Sequence, residues 1–251
     1  MNPTSGVLQN AWDLYKTHWK HLLAISFGIY IALALITALL TAVLSWLGVI
    51  LAALVSIIGA NLLQGALVKA VEDIRDGRAD MSLKETLDGA RPHLGAIILT
   101  SLLVALGVAL GLVLLIAPGL YLLTIWAVVI PVVVIENKST GESFGRSKQL
   151  VSGYGWNVFG LILLMMLLMI GFGIVLGIIL AFLPTWLESF ISNVVSGGLT
   201  APFWALAVTI LYFRLREAKE GSAPQPGSPT GTSVPAPPTG ISTPAPPAPP
   251  A

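Results

Sequence analysis

Four stretches of this chain contain no Asp, Glu, Lys or Arg: residues 22–68, 94–135, 149–187 and 189–213, the last two separated only by Glu188. Hydrocarbon offers no water to bond backbone N–H and C=O groups, so a crossing segment must satisfy them internally, as a helix does. One crossing takes about 20 predominantly apolar residues. The first two stretches are each long enough for two crossings and the last two supply one each, which predicts six membrane helices. Composition agrees. Only 10% of the 251 residues are charged and 55% are hydrophobic, with mean hydropathy +0.87, whereas soluble domains carry about 25% charge.

The reversals between helices have chemical markers. Trp46 and Gly48 mark the first, with the indole at an interface. Pro118-Gly119 marks the second, because proline ends a helix and glycine suits a tight turn. Pro184, Trp186 and Glu188 mark the third. The expected spans are about 22–46, 49–70, 94–117, 119–135, 156–183 and 190–213, within a membrane domain of residues 1–221. Residues 222–251 are Pro/Ala/Ser/Thr/Gly-rich and uncharged, a composition expected to stay extended or disordered. The P-x-x-P at Pro235–Pro238 lacks a flanking basic residue, and a passive cytoplasmic tail is expected. The first apolar run is too long for a signal peptide and lacks a small-residue cleavage site.

On this map all 13 Lys and Arg residues fall on one side. Lys16 and Lys20 precede helix one; Lys69, Arg75, Arg78, Lys84 and Arg91 lie between helices two and three; Lys138, Arg146 and Lys148 lie between four and five; Arg214, Arg216 and Lys219 follow helix six. The other side carries only Glu188. The positive-inside rule then predicts both termini in the cytoplasm of a bacterial plasma membrane protein. A net charge of +1 argues against a nucleic-acid partner.

Three inner-side segments are amphipathic. In VLQNAWDLYKTHWKHL (residues 7–22), Leu8, Trp12, Tyr15, Trp19 and Leu22 share one helical face, and Asp13, Lys16 and Lys20 lie opposite. Such a helix lies in the membrane interface. Ser82 with Glu85, and Ser139 with Glu142, have the S-x-x-E spacing of a capping box. Apolar faces follow each, of Leu83, Leu87, Ala90 and Leu94, and of Phe144, Leu150, Val151 and Tyr154. Each segment leads into a helical hairpin that ends in charged residues and Gly77, Gly141 or Gly221. Two readings stay open: a threefold repeat of interfacial helix plus hairpin, or the recurrence of charges and caps that any such topology produces.

Residues 131–156 carry a resemblance. Pro131, Glu136, Phe144, Arg146, Ser147, Leu150, Val151, Gly153 and Trp156 form a pattern similar to the membrane domain of glycerophosphoryl diester phosphodiesterases and its stand-alone, uncharacterised relatives. Pro118-Gly119 and LYFRLRE (residues 211–217) extend it. In those phosphodiesterases the domain accompanies a separate soluble catalytic domain, to which nothing in these residues corresponds. The resemblance therefore implies a membrane module and transfers no catalytic residue.

The remaining chemistry is sparse. There is no cysteine, and no phosphate-loop, zinc-protease or nucleophile-elbow motif is present. No catalytic residue, metal or cofactor is expected, and the chain is not expected to be an enzyme. His18 and His21 read as interfacial residues rather than metal ligands, and His93 as a solvated helix end. Asn61 and Gln64 are the most polar side chains at depth, on one side of helix two; cross-helix hydrogen bonding is the expected role and substrate contact the other. Gly107-x-x-x-Gly111 and Gly173-x-x-x-Gly177 are expected to let backbones approach closely. Pro131 is expected to kink helix four, and the run Ser196, Gly197, Gly198, Thr200, Pro202 to break helix six. Glu136 is expected to pair with Lys138 or Arg146, so that Glu136, Arg146 and Ser147 form the candidate ligand or structural site. The functional expectation is a membrane module organising lipid or a protein partner at the inner leaflet; the alternative is a small-solute or lipid transporter.

Overall fold

The computed structural model describes residues 2–75 and 83–221. Its elements are α1 (Val7–Arg75), α2 (Leu83–Ala90), a 3-10 turn (Arg91–His93), α3 (Leu94–Leu114), α4 (Ile116–Ile125), α5 (Val129–Ile135), α6 (Thr140–Val151), α7 (Gly155–Leu180) and α8 (Thr185–Glu220). Among the described residues every regular element is helical. Among the described residues, five helices are long and apolar enough to cross a membrane: Val7–Arg75, Lys84–Leu114, Ile116–Ile135, Gly155–Leu180 and Val194–Glu220. The expected Ser82–Glu85 capping box, Gly77, and the tail 222–251 lie outside the described residues.

The first helix is folded back on itself. Ser45 has φ 48 and ψ −125, outside helical space. A Cβ on Gly48 would lie 2.0 Å from the Leu40 carbonyl oxygen, and one on Gly59 would lie 2.3 Å from the Leu33 side chain. On a straight rod Leu33 and Gly59 would be roughly 39 Å apart, so α1 consists of two antiparallel legs. The reversal falls where Trp46 and Gly48 mark it. A second irregularity, at His18 (φ −112, ψ 19), sets the amphipathic segment apart from the first leg.

The second reversal lies earlier than expected. Leu115 alone is extended (φ −161, ψ 137), and α4 starts at Ile116. Pro118 therefore sits in the first turn of α4, where a missing N–H costs nothing. Gly119 is used for contact: a Cβ on Gly111 would lie 2.8 Å from the Gly119 Cα. The expected span 119–135 is likewise interrupted at residues 126–128, between α4 and α5. Pro131 explains the break, since it cannot donate to the Ala127 carbonyl and crowds it.

The expected break in helix six is absent, because α8 runs unbroken from Thr185 to Glu220 with Pro202 inside it. The glycines there seat rings of the first leg. A Cβ on Gly197 would lie 2.3 Å from the Tyr30 ring, and one on Gly198 would lie 2.9 Å from that of Phe27.

The main core lies toward the charged end of the helices. Leu67, Val71 and Ile74 of the second leg, Leu150 and Val151 of α6, and Leu211, Tyr212 and Leu215 of α8 are buried together. Leu35, Leu39, Val113, Leu114, Ile178 and Ile179, toward the opposite ends, are exposed. That distribution suits a protein whose outer apolar surface meets lipid rather than water.

Candidate functional site

The candidate site grows from the end of α5. Glu136 caps that helix, and its N–H bonds the Val132 carbonyl at 3.0 Å. The chain then turns through Asn137 at φ 52, a left-handed conformation that Asn tolerates. At Ser139, α6 opens with the expected capping interaction. The Glu142 carboxylate accepts from the Ser139 hydroxyl at 2.7 Å and from its N–H at 3.1 Å. Those two bonds hold the Glu142 carboxyl below its ordinary value.

Nearly two turns into α6, Arg146 reaches back. Its Nε donates to both carboxylate oxygens of Glu136 at 3.0 Å, and its Nη1 donates to Gln149 at 3.2 Å. Its Nη2 bonds Glu220 at the end of α8. Glu220 in turn accepts from Arg216 at 3.1 Å. The Tyr212 hydroxyl donates to Glu136 at 2.9 Å, and Lys138 stands 3.7 Å from the same carboxylate. Burial alone would pull the Arg146 guanidinium down, but its bonds to Glu220 and Glu136 offset that and hold it above its ordinary value. The result is a clamp joining α5, α6 and α8. Both oxygens of Glu136 are occupied by donors, and these charge-assisted bonds tie the three helix ends together.

Ser147 belongs to the same construction. The α4–α5 interruption sends the Val129 N–H to Trp126, at 3.1 Å, and deprives the Ile125 carbonyl of it. The buried Ser147 hydroxyl donates to that carbonyl at 2.8 Å. Ser147→Ala would strand a buried acceptor and should cost about 1–2 kcal/mol. Thermal unfolding of the variant, set beside exposed Ser152→Ala, checks this.

Further bonds draw the other charged ends together. Arg214 donates to the Ser5 carbonyl at 2.8 Å, and Arg75 lies 3.7 Å over the Phe213 ring. His93 is not a free helix end: Nδ1 lies 3.3 Å from the Gly89 carbonyl and Nε2 meets the Asn137 side chain, tying α2 to the α5–α6 turn. The buried face of α6 is Ser143, Ser147, Leu150 and Val151, so this segment is packed within the fold, while Phe144 stacks edge-on against Trp126.

Asn61 does not bond across helices. Its amide donates to Ile57 of its own helix at 2.8 Å, and its Oδ1 has no partner among the described residues. Gln64 lines a space between helices. Among the described residues, no group of three His, Cys, Asp or Glu side chains is placed to hold a metal.

The structure adds Tyr212 and Glu220, which were not singled out from the sequence. The signal was available, since Tyr212, Arg216 and Glu220 are spaced by four and share one helical face. It also adds a groove of about 620 Å³ between the amphipathic segment, α7 and α8. Val7 and Ala11 bury the core edge of that segment, and Trp12 and Trp19 stay about half exposed, at 51% and 48%. Trp12, Tyr15 and Phe203 form one wall, with ring centroids 6.0–6.4 Å apart, and Met169 and Phe172 stand across from them. The Tyr15 hydroxyl donates to the Leu199 carbonyl at 3.3 Å and fixes the segment on α8. No known protein family, curated protein or solved structure matches this chain.

Proposed function

We propose that this is a membrane module without a catalytic centre of its own, which holds a lipid acyl chain at the inner leaflet. The observation that carries the reading is the aromatic-walled groove beside the amphipathic segment. Its lining is apolar, as a hydrocarbon chain requires, and Lys16 lies 5.7 Å over the Trp12 ring, where an anionic headgroup would sit. In this reading the two legs of α1, α3, α4–α5, α7 and α8 make six crossings. Both termini and the clamp face the cytoplasm of a cell membrane, because every basic residue falls on that side. The hairpins then follow a threefold pattern of amphipathic segment plus helix pair. The resemblance of residues 131–156 to the phosphodiesterase membrane domain supports a module that serves a partner protein. A small-solute or lipid permease is the alternative, favoured by the interrupted α4–α5 helix.

Extraction in native lipid, followed by mass spectrometry of what copurifies, tests the proposal. A retained phospholipid class, depleted in a Trp12→Ala/Phe203→Ala variant, is expected. Lipid identical to the bulk membrane in both proteins rejects it, and solute exchange across sealed vesicles favours the permease.

A further inference from the structure

A second space lies among the helices, apart from the groove. It holds about 310 Å³ and is bounded by the second leg of α1, α3, the α4–α5 junction, α7 and α8. Sites of this size, mostly apolar with a few polar groups, are what small ligands occupy. We propose that it binds an uncharged amphiphile, a molecule with one hydrogen-bonding head on a short apolar body.

Three features set that chemistry. None of the lining residues is ionisable, so an ion would lose its hydration with no counter-charge to replace it. Gln64 and Ser101 both line the space, and neither side chain has a hydrogen-bond partner among the described residues. Both side chains are partly buried; polar groups withdrawn from water normally find partners, and a ligand head group can supply them. Ala127 and Pro131 line it as well. Pro131 has no N–H, so the Ala127 carbonyl lacks its helical donor and is a third polar function at the same break.

Water is the competing occupant. The volume has room for on the order of ten molecules, but each needs two to four polar partners. The walls are chiefly Ile130, Ile162, Met165, Val208 and Leu211, which serve an alkyl chain and not a water cluster. Met165 adds an adaptable surface for the body of such a ligand. The inference does not depend on the groove, which draws on other residues of α7 and α8.

The test uses the full chain in lipid nanodiscs and a diazirine-bearing octanol, photolysed and mapped by peptide mass spectrometry. Insertion is expected at Trp126, Ala127 or Trp204 of the cavity wall, saturable and competed by plain octanol. Gln64→Leu with Ser101→Ala should weaken that labelling about tenfold, since each lost hydrogen bond is worth about 0.5–1.5 kcal/mol. Labelling of the exposed residues Ile170, Ile174 and Ile178 by probe in the bilayer should not change, and a cooperative thermal unfolding transition reports that the variant is folded. If the variant fails to fold, octanol competition in the unaltered protein decides. Insertion confined to lipid-facing residues, or cavity insertion that octanol does not compete, overturns the proposal. Cavity insertion that persists undiminished in the folded double variant also overturns it.

Discussion

Replacing Glu136 with alanine will cost the protein about 2–4 kcal/mol of stability, and Arg146→Ala will cost a similar amount. Breaking one half of a buried ion pair typically costs about 3–5 kcal/mol, because the surviving charge is left without compensation. These side chains are 12% and 16% exposed, so water recovers part of that loss. Arg146 also keeps Glu220 when Glu136 is removed, and Glu136 keeps Lys138 and Tyr212 when Arg146 is removed. The two losses should therefore be coupled but not identical, and a double-mutant cycle on unfolding in detergent measures the coupling. Both singles within about 0.5 kcal/mol of the unaltered protein would place the pair among surface ion pairs of little worth.

The sequence alone leads to a simple charge-swap test, in which reversing both residues restores what either reversal destroys. The structure changes that expectation. The double variant Glu136→Arg/Arg146→Glu would place a carboxylate beside Glu220 and a guanidinium beside Lys138. Like charges at such distances repel by an amount comparable to what the pair regains. The swap should recover only part of the lost folding yield. Adding Glu220→Lys and Lys138→Glu to it should recover more.

Much of this was legible because charge-free length and charge placement are strong signals in a membrane chain. The run 22–68 requires two crossings whatever its details, and α1 reverses at Ser45, beside Trp46 and Gly48. The pairing of Glu136 was legible because Lys138 and Arg146 are the basic residues that follow it most closely in sequence, at a helix end; both stand at its carboxylate. What the pattern did not show is which polar residues go inside. Ser143 and Ser147 lie outside the expected apolar face of Phe144, Leu150, Val151 and Tyr154, yet they are buried, because one bonds the Ser139 carbonyl of its own turn and the other the freed Ile125 carbonyl. Likewise Ser196–Pro202 reads as a helix breaker, since glycine and proline are poor helix formers. In α8 the missing side chains are replaced by the rings of Phe27 and Tyr30, a tertiary contact that no local pattern encodes.

The two GxxxG motifs make the same point sharply enough to test. They are equivalent as sequence, and both were expected to mark close helix contacts. In the fold, only one does. A Cβ on Gly111 would sit 2.8 Å from the Cα and 2.9 Å from the nitrogen of Gly119. These are backbone atoms of α4 that cannot swing aside, so the two helices would have to separate. A Cβ on Gly107 would lie 2.6 Å from the Trp126 ring, a side chain with more freedom to shift. A Cβ on Gly173 or on Gly177 would meet no other described residue within 4 Å. Gly111→Ala should therefore cost about 1–3 kcal/mol from overpacking. That cost includes the roughly 1 kcal/mol that alanine gains over glycine within a helix. Gly173→Ala and Gly177→Ala should be neutral or gain up to that same ~1 kcal/mol. Unfolding midpoints of the three variants in one detergent separate the cases. Equal losses at Gly111 and Gly173 would mean that α7 also meets a helix closely at Gly173, which among the described residues it does not. The partner would then be a second molecule packed on the exposed face of α7.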